Sequence, residues 1–290
     1  MTESDLRPLD GAVLRAVAEM ALREDGAWDD VTTTAIVPVE QHGRACLLAR
    51  EPGVLCGTPL AAAVYALLDD GVQVEPLVAE GGRFQTNAEL LRIDGPLGAI
   101  LRGERVALNF IQRLSGTATL TARFVDEIAG LPARLLDTRK TTPGLRVLEK
   151  YAVRAGGGQN HRFGLNDGVL LKDNHLAAAY GRGLTMADII RETRGRVPHT
   201  MRIEVEVTTI DEAGRASDAG ADVLLLDNMS IDEMRAVVAL TKGRTLLEAS
   251  GGVTLERVRA IAETGVDFIS VGALTHSARA LDLSLEIEAS

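Results

Sequence analysis

Aromatic side chains are scarce: Phe, Trp and Tyr together make up 3% of the 290 residues. A stacking platform for nucleic-acid bases or sugar rings has almost nothing to be built from. Cysteine is rarer still. Cys46 and Cys56 stand without a CxxC pair or a His-rich cluster beside them, which excludes a disulfide scaffold and a structural zinc site and suits a reducing compartment. Both read as small core residues. Long apolar runs are missing too: the longest, Leu60 to Leu68, is about half of the roughly 20 residues that a membrane helix needs. The opening MTESDLRPLD lacks the basic-then-apolar layout of a signal peptide, so the expectation is a cytoplasmic protein. Positive charge is not in excess either. With 31 Lys and Arg against 41 Asp and Glu, the net charge of −10 gives no support to binding nucleic acid or an anionic membrane. Any anionic ligand needs a local cationic pocket.

A content of 46% hydrophobic and 25% charged residues describes a soluble chain long enough for one large or two ordinary domains. The first hundred residues mix helical and strand signals without a repeat: an amphipathic start around Leu9 to Leu22, then RACLLAREPGVLCG, then a helix across Pro59 to Leu68. This reads as an N-terminal α+β domain. From Gly103 the pattern changes to a helix whose Ala107, Phe110, Ile111, Leu114 and Ala118 recur at three and four residues and share one apolar face, a helix suited to joining two domains.

Beyond it, short apolar runs alternate with helical stretches: LLD (135–137), VLLK (169–172), IEVEV (203–207), VLLLD (223–227), LLEAS (246–250) and FISVG (268–272). Such runs fit parallel strands covered by helices. Six strands are fewer than the eight of a standard barrel, so the expected fold is α/β, an open six-stranded α/β barrel behind an N-terminal α+β domain. The domain limits expected are 1–115 for an N-terminal α+β sandwich and 116–276 for the barrel, with the tail 277–290 packing back on the first.

Each strand ends in polar or glycine residues, and the carboxyl ends of barrel strands gather on one face. Residues far apart in sequence therefore converge on one pocket. Between Arg134 and Lys172, eight Lys or Arg face three acids. A multiply anionic small molecule is the natural ligand, and Arg139, Lys140, Arg162 and Lys172 are its candidate clamps. Arg146, Lys150 and Arg154 follow Thr142-Pro143-Gly144 at helical spacing and read instead as a solvated helix face. Ser250-Gly251-Gly252 and Val271-Gly272-Ala273 follow the last two strands, where bare backbone N–H groups can cradle a phosphate. Glu206 and Asp227 sit at adjacent strand ends and suit sugar hydroxyls, a developing positive charge, or a magnesium ion shared with substrate phosphates. Glu204 shares the face of Glu206, deeper along the strand. Among five histidines, His161 reads as a ligand contact, His175 as either contact or structure, and His42, His199 and His276 as structural or surface residues.

Five segments carry a family likeness: GERVALNFIQRLSGTAT (103–119), DTRKTTPGLRVLEKYAVRAGGGQNHRFGLNDGVLLKDNH (137–175), LLLDN (224–228), EASGG (248–252) and VDFISVGALTHS (266–277). The chain closely resembles the quinolinate phosphoribosyltransferases, also called nicotinate-nucleotide pyrophosphorylases (carboxylating). A looser likeness precedes Gly103, in REDGAWDDVTT and GVLCG, where Asp29-Asp30 stands in place of a Gly-Asp common in the family. The resemblance implies transfer of phosphoribosyl from 5-phosphoribosyl 1-pyrophosphate to the ring nitrogen of quinolinate, with loss of pyrophosphate and carbon dioxide, in NAD biosynthesis. It implies Mg2+ with the donor and no organic cofactor. It further implies that Arg105, Thr138, Arg139, Lys140, His161, Arg162 and Lys172 form the substrate pocket, and that Glu206 and Asp227 face the ribose and its metal. Residues 250–252 and 271–273 would hold the 5-phosphate. Lys140, Glu206 and Asp227 are the implied catalytic groups. The implied assembly is a homodimer, its order beyond two left open, in which Arg105 reaches across to the other subunit's barrel mouth. Two rival readings are a molybdenum-transport-associated phosphoribosyltransferase-like protein and a non-catalytic sensor of phosphoribosyl ligands.

Overall fold

A computed structural model describes residues 6–289. In chain order the elements are α1 (Gly11–Asp25), α2 (Val31–Ile36), β1 (His42–Ala49), β2 (Gly53–Val54), α3 (Thr58–Leu68), β3 (Gln73–Pro76), β4 (Arg83–Phe84), β5 (Glu89–Pro96) and α4 (Leu97–Glu127). Then follow β6 (Arg134–Leu136), α5 (Arg146–Ala155), β7 (Val169–Leu171), α6 (Asp173–Tyr180), α7 (Met186–Arg196), β8 (Ile203–Val207) and α8 (Ile210–Asp218). The chain closes with β9 (Val223–Asp227), α9 (Ile231–Thr241), β10 (Leu246–Ser250), α10 (Leu255–Ala262), β11 (Phe268–Ser270), α11 (Ala273–His276) and β12 (Leu283–Ala289). Two compact units result. One holds the chain up to Ala122, Thr142–Gly157 and the segment from Ser277 onward; the other holds Arg123–Thr141 and Gly158–His276.

The first unit is built on an antiparallel sheet of order β12-β1-β5-β3. β1 alternates exposed and buried residues, as a strand with one solvated face must. The two-stranded β2-β4 pair lies apart from this sheet. Local chemistry starts and stops the helices. The Asp10 carboxylate accepts the Ala12 N–H at 2.7 Å to begin α1, and Gly26, at φ 66°, ends it in the left-handed region that glycine tolerates. One core joins Leu22 of α1 and Leu60 of α3 to Leu47 of β1, Leu91 of β5, and Ile111 and Leu114 of α4. Of the apolar stripe read from α4, Ala107, Ile111, Leu114 and Ala118 are buried, and Phe110 is half-buried against the same core.

α5 departs from the solvated basic face that its charge spacing suggests. Lys150 is fully buried, and Arg146 and Arg154 are half-buried. The helix belongs to the first unit, where Glu149 accepts the Thr142 N–H and hydroxyl at 3.0 and 2.7 Å and an Arg113 N–H at 3.3 Å. Charge spacing alone could not reveal that neighbours from α4 would enclose it.

The second unit is a parallel sheet of order β6-β11-β10-β9-β8-β7, with the six strands at the expected places. Val223 to Leu226 of β9 are all buried, the continuous apolar run of a strand covered on both faces. After β8 and β9 the helices start promptly because Thr209 and Ser230 each cap with a side-chain oxygen on a backbone N–H three residues on, and Thr185 caps α7 in the same way after α6. β6 and β7 are the two edges. Along β6 runs the segment around Gln159, whose N–H donates to Leu135 O at 2.8 Å while Asp137 N–H donates to Gln159 O at 3.1 Å. That pairing satisfies part of the β6 edge.

The tightest approach in the first unit is at Gly116 of α4, where an added Cβ would overlap the Arg279 carbonyl oxygen. Gly116→Ala is expected to lower stability by about 1–3 kcal/mol through overpacking. A fall in the urea midpoint at unchanged slope would show this; an unchanged midpoint would refute it.

Candidate active site

Residues from all six strand ends of the second unit line one cavity of about 560 Å³, so the sheet curls into an open barrel with its mouth at the carboxyl ends. Thr138, Arg139 and Lys140 come from β6, and Lys172 from β7. Glu206 follows from β8, Asp227 from β9, Ser250, Gly251 and Gly252 from β10, and Val271, Gly272 and Ala273 from β11. His161 and Arg162 enter from the segment beside β6. Arg105 is exposed on α4 and does not line this cavity.

One wall is cationic. Arg162 donates from Nη1 to Gly168 O at 3.0 Å, and burial together with the Arg139 charge lowers its pKa. An anion bound beside Arg162 would relieve that repulsion. Arg139 Nε is buried with no protein hydrogen-bond partner, a donor left for a ligand. The Lys140 N–H donates to Thr138 Oγ1 at 3.0 Å, and Lys140 O accepts from Thr275 Oγ1 at 2.7 Å, which fixes the turn that carries the ammonium.

The acids of the cavity come from β8, β9 and β10. Glu206, Leu225 and Glu248 sit in register across β8, β9 and β10, so their side chains share a row. Glu206 is ion-paired with Lys172. Asp227 Oδ2 accepts from Asn228 Nδ2 at 2.9 Å, and Asn228 itself takes a left-handed φ of 56° at the strand end.

His161 meets two carboxylates, its Nε2 lying 3.2 Å from Glu204 and 3.5 Å from Glu248. Burial favours the neutral ring, but the hydrogen bonds and charge of the two glutamates outweigh it and raise the imidazole pKa. Raised alone, that pKa would put a second proton on Nδ1, but the geometry prevails against it: the Arg162 N–H donates to Nδ1 at 2.7 Å and occupies the lone pair that such a proton needs. The lasting proton is therefore on Nε2. Burial, against the pull of His161, raises the Glu204 carboxyl above the usual range, and the nearby charge of Glu248 adds to it.

Glycine is sterically required at Gly251 and closely packed at Gly272. At Gly251, φ 85°, a Cβ would overlap the Asn228 side chain, and at Gly272 it would lie 3.0 Å from Lys140 Cδ. Val271 N–H donates to Leu136 O at 3.0 Å, which leaves the Gly272 and Ala273 amides, on two residues that line the cavity, outside the sheet's hydrogen bonding.

Sequence reasoning missed several lining residues. His276, a structural or surface residue by sequence, instead lines the cavity, as do Glu248, Thr254 and Ser270. The strand-end rule could have found Ser270 and His276, which flank the Val271-Gly272-Ala273 turn. Glu248 lies inside its strand and carries no such signal. His175 is used locally, its Nδ1 accepting the Lys172 N–H at 3.0 Å.

The quinolinate phosphoribosyl transferase C-terminal domain model matches residues 117–286 and the N-terminal domain model residues 30–115. The chain belongs to the quinolinate phosphoribosyltransferase family. Among its relatives in that family, the probable nicotinate-nucleotide pyrophosphorylase [carboxylating] of Bacillus subtilis is 43% identical over 264 residues, 91% of this chain and 90% of that protein. The protein of the same description from Synechocystis is 44% identical over 269 residues, 92% of this chain and 90% of that protein. The solved structure of the nicotinate-nucleotide pyrophosphorylase from Francisella tularensis superposes with a TM-score of 0.90 at 38% identity, covering 98% of this chain and 99% of that one. Neither the molybdenum-linked reading nor the sensor reading finds support among these family members.

Gly251→Ala is expected to destabilise the protein by about 1–3 kcal/mol, from the strained φ and the displaced Asn228. Thermal unfolding of the purified variant checks this, and an unchanged midpoint would remove the steric requirement.

Proposed function

We propose that this chain transfers the phosphoribosyl group of 5-phosphoribosyl 1-pyrophosphate to quinolinate, with loss of pyrophosphate and carbon dioxide, giving nicotinate mononucleotide in NAD biosynthesis. The observation that carries this reading is one cavity lined by the cations Arg139, Lys140, Arg162 and Lys172 together with the carboxylates Glu206 and Asp227, in a chain of this family.

Quinolinate brings two carboxylates, which the Arg139 and Arg162 guanidinium groups and the Lys172 ammonium bind. Thr138 and His161 complete the acceptor pocket. The 5-phosphate sits on the turns at 250–252 and 271–273, where backbone amides can approach closely. Held this way, the ring nitrogen attacks C1 of the ribose as the C1–O bond to pyrophosphate breaks and pyrophosphate leaves with the electron pair. Glu206 and Asp227 stabilise the positive charge that develops on the ribose, and Lys140 offsets the charge of the leaving group. Loss of carbon dioxide then leaves an electron pair at C2, stabilised by the quaternised ring nitrogen beside it, and C2 takes up a proton.

Glu206 and Asp227 are hard oxygen donors at neighbouring strand ends, lining an open cavity with no thiol in it, a donor set that fits magnesium. Bound there with the donor's pyrophosphate, magnesium supplies neutralisation of the leaving group's charge. No organic cofactor enters the proposed chemistry. We further propose a cytoplasmic homodimer in which the partner subunit's Arg105 completes the acceptor pocket, in keeping with an arginine exposed on α4 and absent from the lining of its own cavity. The functional division is proposed near 115/116, where the two family models meet, with the barrel to 276 and the tail from 277 returning to the N-terminal domain through β12.

A magnesium-dependent assay should yield nicotinate mononucleotide, pyrophosphate and carbon dioxide from quinolinate and little product from nicotinate. Donor binding without pyrophosphate release would overturn the catalytic reading. Arg139→Ala and Lys172→Ala are each expected to raise the quinolinate KM about 10- to 100-fold, the loss of a charge-assisted hydrogen bond, with little change in Tm. Asp227→Asn is expected to lower kcat by about 100-fold and donor affinity much less. A pure affinity loss would reduce Asp227 to a binding role.

A further inference from the structure

His161 and Arg162 occupy a segment that no regular element supports, yet it is tied down from three strands. At the end of β6, fully buried Asp137 accepts the His161 N–H at 2.9 Å and Asn160 Nδ2 at 2.6 Å. From β8 and β10, Glu204 and Glu248 flank His161 Nε2. The ring passes this constraint on, since its Nδ1 accepts the Arg162 N–H. Beyond it, Arg162 Nη1 is held by Gly168 O.

The arrangement is costly to the fold. Glu204 and Glu248 are 7% and 2% exposed, and the Oε1 atom of each is buried with no protein partner. Apolar residues of similar volume would suit a barrel interior better, so two buried acids serve orientation rather than stability. A metal accounts poorly for the cluster, although the three residues bring ligand atoms within 4.8 Å of one another. With Nδ1 accepting the Arg162 N–H, the Nε2 proton points at the carboxylates and leaves no lone pair for an ion.

We propose that Asp137, Glu204 and Glu248 are positioning residues that act through His161 to aim Arg162 at a carboxylate of the acceptor. This rests on the reading that Arg162 binds quinolinate. The three residues thereby govern acceptor recognition and leave the phosphoribosyl donor untouched. Their effect travels along one chain of hydrogen bonds: carboxylate pair, Nε2–H, Nδ1, Arg162 amide, guanidinium.

Glu248→Leu removes one acceptor at similar volume. The quinolinate KM is expected to rise about 10-fold, with the donor KM within about twofold and kcat largely kept, as loss of orientation at a charged contact requires. Glu248→Gln keeps an acceptor oxygen and should recover most of the loss. In an Arg162→Ala background, Glu248→Leu should change the quinolinate KM no further, because both act on one contact. Additive effects there, or an equal rise in both KM values, would overturn the proposal. Should Glu248→Leu fail to fold, Asp137→Asn loosens the same segment from the other side and enters the same cycle. Nitrogen-15 NMR of His161 in the ligand-free wild type should find Nε2 protonated and Nδ1 bare; a protonated Nδ1 would break the chain. This readout needs no substrate. The expected tautomer in a protein that does not turn over quinolinate would defeat the proposed function and this acceptor role with it, whereas a wrong tautomer in an active enzyme would defeat the positioning network alone.

Discussion

The parallel register of six short strands is the constraint on which the candidate site depends. Glu206, Leu225, Glu248 and Phe268 lie in one row across β8 to β11, and Asp227 pairs with Ser250 nearer the mouth. Since neighbours in register share a face, one slip of a residue would turn every one of these side chains outward. The register thus sets which residues meet, and the polar residues that end each strand set what they can bind.

Charge in this chain is arranged by place rather than by amount. An overall net charge of −10 coexists with a cavity where burial and the neighbouring Arg139 disfavour the charged form of Arg162. Acids balance that cavity in two groups. Glu206 and Asp227 line the cavity near the strand ends, while Glu204 and Glu248 face the imidazole of His161.

The strands were legible because a parallel strand covered on both faces is a short apolar run, and runs such as VLLLD and IEVEV are rich in strand formers and too short for a helix. The site was legible because polar residues gather where such runs end. What escaped notice lay where local pattern carries no signal. Lys150 sits at a spacing suited to a solvated helix face, yet is enclosed by tertiary packing. Glu248 is an acid inside an apolar strand, and only the position of His161 gives it a partner. The tail's return to the first domain is expected from the sequence, but its pairing as β12 with β1, Leu285 opposite Leu47, is a register that no local window contains.

By itself, then, the amino-acid sequence determined the α/β class, the six parallel strands, the absence of a long apolar span and the residue types at the mouth, since each follows from patterns within a few residues. Only the tertiary structure decided that α5 belongs with the first unit, that His276 and Glu248 face the cavity, and that Asp137, Glu204 and Glu248 converge on residues 160–162. Those outcomes depend on contacts between residues tens to hundreds of positions apart, whose geometry is set by packing and register rather than by local propensity.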